Sequence, residues 1–405
     1  MSPPSRIPGH RFLHSPGPSR VPDEVLHAMS RQPMDLADAR VDACIAACEA
    51  GLKRVLQTSA DVFMYAANGH GAWEAVIANL VAPGSAVLIA GTGHFSESWA
   101  LQTEAFGARV IRTPWIEGQP IDPAVIEAAL RADTSHKIVA VFVVHTDTAS
   151  GISSDLPALR AAIDAAQHPA LFVVDVVASL AAAPFAMDAL RADVVLGASQ
   201  KGLMVPPGLS FVAVNERAFE FASRNPAPRF YWDWRWRRSE LSYRKFCGTP
   251  PQSLLAGLEA ALGLIFREGI DEVLARHRRL ADAVHAAVAR WSEAGAIGFF
   301  CDVPEARSVS VTTIRVATGI DPEAMRTVAR EQFQVAIAGG LGPLAGRAFR
   351  IGHLGDLNPA MILGCLAGVE AAMTVQGIPF GPGGVQAAVA SLSAAARTAL
   401  DRSPR

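Results

Sequence analysis

The chain has 405 residues, of which 50% are hydrophobic and 18% are charged, and its formal net charge at pH 7 is −2. This length and composition predict a water-soluble globular protein with a large core and two domains. A near-zero charge, with arginines scattered outside one local cluster, argues against nucleic-acid and membrane partners and favours a small-molecule substrate.

Cysteine usage and the N-terminal sequence indicate the compartment. The five cysteines lack the spacing of metal ligands and are interpreted as reduced core thiols: Cys44, Cys48, Cys247, Cys301 and Cys365. The first residues form neither an apolar signal core nor an arginine-rich amphipathic pattern, and no apolar run reaches the length of a membrane span. We therefore expect a cytoplasmic protein without a metal site.

Short apolar runs alternate with helical patterns between about residues 60 and 215. The clearest strand-like runs, rich in β-branched residues, are 86–90, 138–144 and 171–174. Between the last two, residues 156–166 repeat apolar side chains at helical spacing. Such alternation is typical of βαβ units with helices on both faces of the sheet. It predicts an α/β fold with a mostly parallel sheet.

The pattern changes after Pro251. A long helical pattern at about 253–291 is followed by the alternating run 309–316, which is typical of a half-buried strand, and then by further short elements. These elements predict a smaller C-terminal α+β domain. The predicted organisation is an N-terminal arm at 1–19, a large cofactor-binding domain at 20–262, a small domain at 263–378 and a loosely attached tail at 379–405.

An aspartate and a lysine follow two successive apolar strands. Asp175 ends the run that begins at Leu171, where a buried parallel strand presents a side chain to a site at its carboxyl end. Lys201 lies in a small, turn-prone segment just after the run 193–196. A buried lysine has a lowered pKa and can form a Schiff base with an aldehyde cofactor, and a carboxylate can keep a pyridine nitrogen protonated. Pyridoxal phosphate (PLP) chemistry needs this pair, although each residue alone is more often a surface lysine or a capping aspartate.

A glycine turn and an aromatic residue follow earlier strands. Gly69 and His70 lie between the strand-like run 62–65 and a helical pattern from Ala72. Glycine there lets backbone N–H groups approach an anion at a helix N-terminus, although many glycine turns bind nothing. Phe95 opens the helix after the next strand, so its ring can lie on a planar cofactor, although such aromatics are more often core filling.

Two further residues carry polar groups at strands. Thr148 follows the strongest apolar run, where its hydroxyl can bond a phenolic oxygen of the cofactor; the alternative is a cap for the next helix. Arg350 is a charge inside an apolar strand, between Phe349 and Ile351. Because buried arginines usually have an anionic partner, a substrate carboxylate is a candidate ligand.

Several segments are specific as a set: 15–19 (SPGPS), 69–70 (GH), 145–151 (HTDTASG), Asp175, 199–202 (SQKG), 206–208 (PPG), 248–251 (GTPP), 339–343 (GGLGP) and 350–355 (RIGHLG). On this set, residues from about 12 to 375 resemble the class V (fold type I) PLP-dependent aminotransferases. The similarity is greatest to the alanine/serine–glyoxylate, or serine–pyruvate, group. It implies the PLP-transferase fold of type I and a homodimer with shared active sites.

The resemblance also implies roles for individual residues around the cofactor ring. Lys201 would hold the cofactor and Asp175 would pair with its pyridinium nitrogen, which makes these two the expected catalytic residues. Phe95 would stack on the ring, Thr148 would approach its phenolic oxygen, and Val177 is a further expected contact.

The same resemblance implies ligands for the phosphate and the substrate. The expected phosphate ligands are Gly69, His70 and Gln200, joined by Thr249 from the partner subunit. The expected substrate contacts are Gly17 and Arg350, with Arg350 binding the substrate carboxylate.

The chain departs from that group at four places. Phe95 stands where many members have tryptophan or tyrosine. Phe246 stands where members commonly offer a tyrosine hydroxyl to the cofactor phosphate of the neighbouring subunit. Residues 34–40 lack the His-Arg-Ser type of sequence found near the substrate entrance. The aromatic and basic segment 230–238 either lines that entrance or forms a packed dimer or domain contact with arginines on tryptophan faces.

Together with the residues above, the resemblance predicts a PLP-dependent transaminase that moves an amino group from alanine or serine to glyoxylate or pyruvate. The alternatives are another donor and acceptor pair, such as pyridoxamine–pyruvate or aspartate–glyoxylate, or a PLP lyase on the same scaffold. A non-catalytic PLP-binding regulator is disfavoured because Lys201, Asp175 and Arg350 are all present. A dinucleotide-dependent oxidoreductase is disfavoured because no Gly-x-Gly-x-x-Gly turn follows the first strand.

Overall fold

The structure is a computed structural model that describes residues 9–402, with side chains to residue 397. The parts of the predicted arm and tail at 1–8 and 403–405 lie outside the described residues. The strands are β1 Phe12–His14, β2 Asp61–Tyr65, β3 Ala86–Ile89, β4 Arg109–Arg112, β5 Ile138–Val144, β6 Thr146–Asp147, β7 Ile152–Ser153, β8 Leu171–Asp175, β9 Val194–Ala198, β10 Ser210–Val214, β11 Ile297–Phe299, β12 Val311–Val316, β13 Val335–Gly339 and β14 Ala348–Gly352.

The helices are α1 Asp23–Met29, α2 Ala39–Leu56, α3 Gly69–Leu80, α4 His94–Ala105, α5 Pro123–Ala132, α6 Leu156–Ala165, α7 Met187–Leu190, α8 Glu216–Ser223, α9 Trp234–Arg237, α10 Ser242–Lys245, α11 Gln252–Glu268, α12 Ile270–Trp291, α13 Pro322–Gln332, α14 Pro359–Val375 and α15 Gly384–Arg402. Within residues 9–402, none of these helices combines the length and the hydropathy needed to cross a membrane.

The larger sheet has the strand order β2-β10-β9-β8-β5-β3-β4. Its strands are parallel except for β10, which runs antiparallel to both β2 and β9. The predicted α/β class with a mostly parallel sheet is therefore confirmed. Because parallel strands end at the same edge of a sheet, Asp175 at the end of β8 lies beside the turn that follows Ala198 at the end of β9.

Both faces of this sheet are covered. On β8, Phe172 and Val174 point into one apolar core, and Leu171 and Val173 point into the core on the opposite face. A strand that is buried on both faces needs apolar residues at every position. This double burial accounts for the unbroken apolar run that precedes Asp175.

The smaller sheet has the order β1-β13-β14-β12-β11 and is antiparallel except for the β1–β13 pair. The described part of the predicted N-terminal arm therefore supplies an edge strand to the small domain. The chain then returns to the large domain, where the Ser19 N–H donates to the Gln200 carbonyl at 3.0 Å. The arm thus connects the small-domain sheet to the turn that carries Lys201.

The prediction of a loosely attached tail is wrong for the described part of 379–405. Residues Gly384–Arg402 form α15, which packs along α12, and Ala388 is fully buried. The N–H of Val385 donates to the Glu370 carboxylate oxygen that also accepts the Trp291 indole N–H, at 3.0 and 2.7 Å. Alanine-rich composition carries little hydrophobic signal, but small side chains on one helix face allow close packing against a second helix.

Gly269 divides the long helical pattern of 253–291 into α11 and α12. Its φ of +91° is a conformation that favours glycine, so the helix cannot continue through it. The domain boundary predicted between residues 262 and 263 falls inside α11, which packs against α1 and α2 of the large domain. We therefore propose Gly269 as the boundary.

Candidate active site

Lys201 lies in the turn that follows β9, three residues after Ala198. The N-terminal arm holds this turn, since the Ser19 hydroxyl donates to the Lys201 carbonyl at 2.7 Å. The Lys201 Nζ donates to the carbonyl of Pro16. A side chain at Gly17, whose φ is +141°, would overlap the Lys201 side chain. The lysine is therefore placed by two segments that are distant in sequence.

The surroundings of Lys201 favour its neutral form. Burial lowers the pKa of the Lys201 amine to about 8, and the nearby Arg350 charge acts in the same direction. The carboxylates of Asp175 and Asp147 partly oppose this shift. A useful fraction of the amine is consequently unprotonated near neutral pH, as a nucleophile or base requires.

Asp175 ends β8 as a buried carboxylate held by two N–H donors. The indole N–H of Trp73 donates to Oδ2 and the backbone N–H of Val177 donates to Oδ1, both at 2.7 Å. Burial raises the pKa of Asp175 to about 6, and these two donors and the Lys201 charge moderate the shift. Asp175 is therefore mostly ionised at pH 7 and has a fixed orientation.

Both residues open into one cavity of about 250 Å³ at the carboxyl edge of the large sheet. Of the predicted site residues, nine line it: Gly17, Gly69, His70, Phe95, Thr148, Asp175, Val177, Gln200 and Lys201. A second cavity of about 440 Å³ between α1, α2 and α11 contains none of them. We place the site at the smaller cavity because the groups with perturbed pKa values converge there.

The walls of the smaller cavity fit PLP. Gly69 and His70 begin α3, whose N-terminus is capped by Asn68, so one end of the cavity favours an anion. The side-chain oxygen of Gln200 is buried there without a hydrogen-bond donor among the described residues, so the polar group at this position is only partly satisfied. Phe95 supplies an aromatic face, and Asp175 supplies a buried carboxylate.

Arg350 lies behind the cavity wall rather than in it. Its guanidinium is buried and donates to the carbonyls of Gly339 at 2.6 Å and Thr148 at 2.9 Å. No carboxylate among residues 9–397 forms an ion pair with it, and burial lowers its pKa to about 10, so it stays charged. Arg350 therefore carries a charge without a direct ion pair next to Thr148, which lines the cavity, and the Asp147 and Glu323 carboxylates act on it only from a distance.

Thr249 is exposed and does not line the cavity of its own chain. The preceding Gly248 has a φ of +143°, a backbone conformation that favours glycine. The contribution of Thr249 to a partner's site stays a prediction.

The sequence interpretation missed two residues that shape the site. Trp73 lies one helical turn after Gly69, and this spacing on one face of α3 is the signal that would have found it. Asp147 accepts the backbone N–H groups of Phe95 and Ala149, both at 2.9 Å. It therefore anchors the aromatic wall, and no local sequence pattern indicates that contact across β6 and α4.

The aromatic and basic segment 230–238 forms a packed contact at its buried positions. Arg237 is 1% exposed, donates to backbone carbonyls and lies between the rings of Tyr65 and Tyr231 at 4.4 and 4.7 Å. The Trp234 indole donates to the Tyr65 hydroxyl at 2.9 Å.

Trp232 of the same segment donates its indole N–H to Glu74 of α3 at 3.1 Å. This segment therefore supports the helix that begins at Gly69.

Known proteins resemble this chain in both sequence and structure. A family model described as aminotransferase class-V matches residues 11–344. The serine–glyoxylate aminotransferase of Methylorubrum extorquens is 38% identical over 96% of this chain and 97% of that protein, and the L-aspartate–glyoxylate aminotransferase of Paracoccus denitrificans is 39% identical over 92% and 94%. The crystal structure of ureidoglycine–glyoxylate aminotransferase from Bacillus subtilis is similar with a TM-score of 0.87 and 27% identity, covering 96% of this chain and 100% of that one.

Proposed function

The chain belongs to the class-V aminotransferase family, and on that premise we propose that it transfers an amino group from alanine or serine to glyoxylate or pyruvate, with PLP as its cofactor. The observation that carries this proposal is the convergence of Lys201 and Asp175 on one cavity with an anion-binding end and an aromatic wall. We also propose that the enzyme is a cytoplasmic homodimer.

PLP, when bound, supplies an aldehyde that captures the substrate amine and a ring that withdraws electrons. Lys201 would hold it covalently through Nζ. Once released, the same amine would take the proton from the substrate Cα, because a pKa near 8 lets it both accept and return a proton at neutral pH. Asp175 would keep the ring nitrogen protonated by accepting its hydrogen bond.

The remaining contacts would orient the cofactor. Gly69, His70 and Gln200 would bind the phosphate at the N-terminus of α3, where the helix dipole favours negative charge. Phe95 would cover one face of the ring, and Thr148 would approach its phenolic oxygen.

A screen of single half-reactions tests the substrates. Purified enzyme loaded with PLP is mixed with one amino acid at a time, and the visible absorbance of bound PLP is followed. Loss of the band with alanine or serine, and its return with glyoxylate or pyruvate, is the expected result. Aspartate is the second donor to test, because the aspartate–glyoxylate relative is 39% identical. Failure of every amino acid to change the band would reject the aminotransferase assignment.

We propose that Arg350 binds the substrate carboxylate, because its guanidinium donates only to two backbone carbonyls and forms no direct ion pair in the described chain. Arg350→Lys should lower kcat/KM by roughly 10²-fold, about 3 kcal/mol, mainly through KM for both the amino acid and the oxo acid. Lysine keeps the charge but cannot donate two parallel hydrogen bonds to a carboxylate. Steady-state kinetics and the absorbance of bound PLP, which should stay unchanged, measure this.

Arg347 provides the matched control. It lies next to the same strand but is exposed and paired with Glu117 at 3.0 Å, so Arg347→Lys should leave KM unchanged. The comparison that decides the role of Arg350 uses an amine substrate without a carboxylate. An equal loss for that amine and for the amino acid would make Arg350 a purely structural residue.

The homodimer proposal predicts that each site uses Thr249 of its partner subunit. Lys201→Ala and Thr249→Ala should each lose activity as separate preparations, whereas a mixture allowed to exchange subunits should recover part of it. A hybrid dimer then contains one site with both Lys201 and Thr249 intact. Light scattering measures the molecular mass of each preparation and so tests whether the protein is a dimer. Subunit exchange without any recovery would show that Thr249 does not act across the interface.

A further inference from the structure

Trp73 connects the residues proposed to face the cofactor. Its side chain is 2% exposed, and its indole N–H donates to Asp175 Oδ2 at 2.7 Å. The same ring lies 4.4 Å from the His70 ring and 6.4 Å from the Phe95 ring, measured between centroids. The proposed function assigns a role to Asp175, His70 and Phe95 but none to Trp73, which contacts all three.

The position of the Trp73 ring is itself fixed. It stacks on Trp99 with a centroid distance of 5.5 Å and an interplanar angle of 9°, and Trp99 stacks in turn on Phe142 of β5 at 4.4 Å. A ring held between aromatic neighbours in a packed core has few alternative orientations. The indole N–H is therefore aimed at one point, the Oδ2 atom.

The Asp175 carboxylate is held at both oxygens. Val177 donates its backbone N–H to Oδ1, so loss of the Trp73 donor would leave only one contact and free the carboxyl group to rotate. The other charged groups that act on Asp175 are the Asp147 carboxylate, which raises its pKa, and the Lys201 amine, which lowers it. No arginine or lysine within residues 9–397 pairs directly with Asp175.

We propose that Trp73 is a positioning residue, whose indole N–H fixes the Asp175 carboxylate in the ionised form and orientation needed to pair with a protonated ring nitrogen. This inference rests on the proposed function. A hydrogen bond from a neutral donor to a charged acceptor in a buried site is stronger than an ordinary one and favours the ionised form of the acceptor. Trp73 would thus act on the reaction through Asp175 without touching the substrate.

Trp99 offers a matched control within the same stack. It is fully buried like Trp73, but its indole N–H has no hydrogen-bond partner among the described residues. Trp73→Phe and Trp99→Phe therefore remove the same number of ring atoms from one aromatic stack. Only the first substitution removes a donor from a carboxylate.

We expect Trp73→Phe to lower kcat by roughly tenfold or more, with little change in KM, and to weaken PLP binding. The acidic limb of its pH–activity profile should move to higher pH, because loss of a donor raises the pKa of Asp175. Trp99→Phe should leave the profile in place. Equal profiles for the two variants would overturn the proposal and reduce Trp73 to a packing residue.

A double variant distinguishes action through Asp175 from a general loss of packing. Adding Trp73→Phe to Asp175→Asn should produce no further fall in kcat, because the acceptor whose charge matters is already gone. A second fall as large as the first would contradict the proposed route.

A measurement on the apoprotein separates this inference from the proposed function. The chain has seven tryptophans, and the Trp73 indole ¹H–¹⁵N resonance is identified by its absence in Trp73→Phe or, if that variant does not fold, by resonance assignment of the wild type. The resonance should shift with pH as Asp175 titrates, and Asp175→Asn should abolish this shift. A resonance that does not respond to pH would reject the contact, whatever reaction the enzyme catalyses.

Discussion

Lys201→Ala should abolish transamination while the protein keeps its fold and still binds PLP weakly. Among the described residues, the cavity has no second lysine amine, because the chain contains only four lysines and the other three, Lys53, Lys137 and Lys245, do not line it. The contacts to the phosphate and ring do not involve Nζ, so binding should weaken rather than vanish. Activity assays and the visible absorbance of bound PLP, which should change when the covalent link is lost, measure both effects.

Lys137→Ala is the control, since Lys137 is exposed and far from the cavity, and its activity should equal that of the wild type. Borohydride reduction of the loaded wild type followed by peptide mapping gives a direct test. The label should be found on the peptide that contains Lys201 and on none of the other lysine peptides. Substantial turnover by Lys201→Ala, or label on another lysine, would exclude this assignment.

The fold and the positions of Asp175 and Lys201 could be predicted from the sequence for a specific reason. Apolar runs without alternation predict strands buried on both faces, and such strands are parallel and end at one edge. Asp175 and Lys201 follow β8 and β9, which are neighbours in the sheet, so their convergence needed only the strand order. The resemblance to class V aminotransferases added the residues of the anion-binding end.

The contacts that fix the positions of the site residues could not be predicted from the sequence. The Trp73–Asp175 hydrogen bond joins residues 102 positions apart, and its geometry depends on how α3 rotates against β8. The guanidinium of Arg350 donates to the Thr148 carbonyl behind the cavity wall, a contact between residues 202 positions apart. Helix α15 was missed because alanine carries little hydrophobic signal, although it packs closely once a partner helix is present. Each of these depends on packing between elements, which local patterns do not encode.

Asp175→Asn should leave the fold intact and lower kcat by on the order of 10²-fold or more. A neutral amide cannot hold the proton on a ring nitrogen electrostatically, and one of its ends would turn an N–H group toward the donor of Trp73 or Val177. Single-turnover kinetics isolate the chemical step. A variant within about threefold of the wild type would contradict the catalytic role.

The pH dependence of PLP binding gives a second, independent test of the role proposed for Asp175. Because the pKa of Asp175 is raised to about 6 in the folded protein, its carboxylate is ionised above that pH and protonated below it. A protonated carboxyl group cannot pair with a pyridinium, so PLP binding by the wild-type apoprotein should weaken as the pH falls through about 6. The Asn variant shares Lys201 but lacks this titration, so the difference between the two binding profiles should disappear at low pH.

Asp193 is the matched control for this prediction, because it is also a buried carboxylate and directly precedes β9, at the opposite end of the β8–β9 pair. It accepts the Phe172 N–H at 2.8 Å, and Arg217 neutralises it at 2.7 Å. Asp193→Asn should therefore lower stability without changing kcat of the folded enzyme. Burial alone does not distinguish the two aspartates. Asp175 is held by N–H donors and has no arginine partner in the described chain, so its charge remains available to a cation bound in the cavity, which supports the catalytic role that we propose for it.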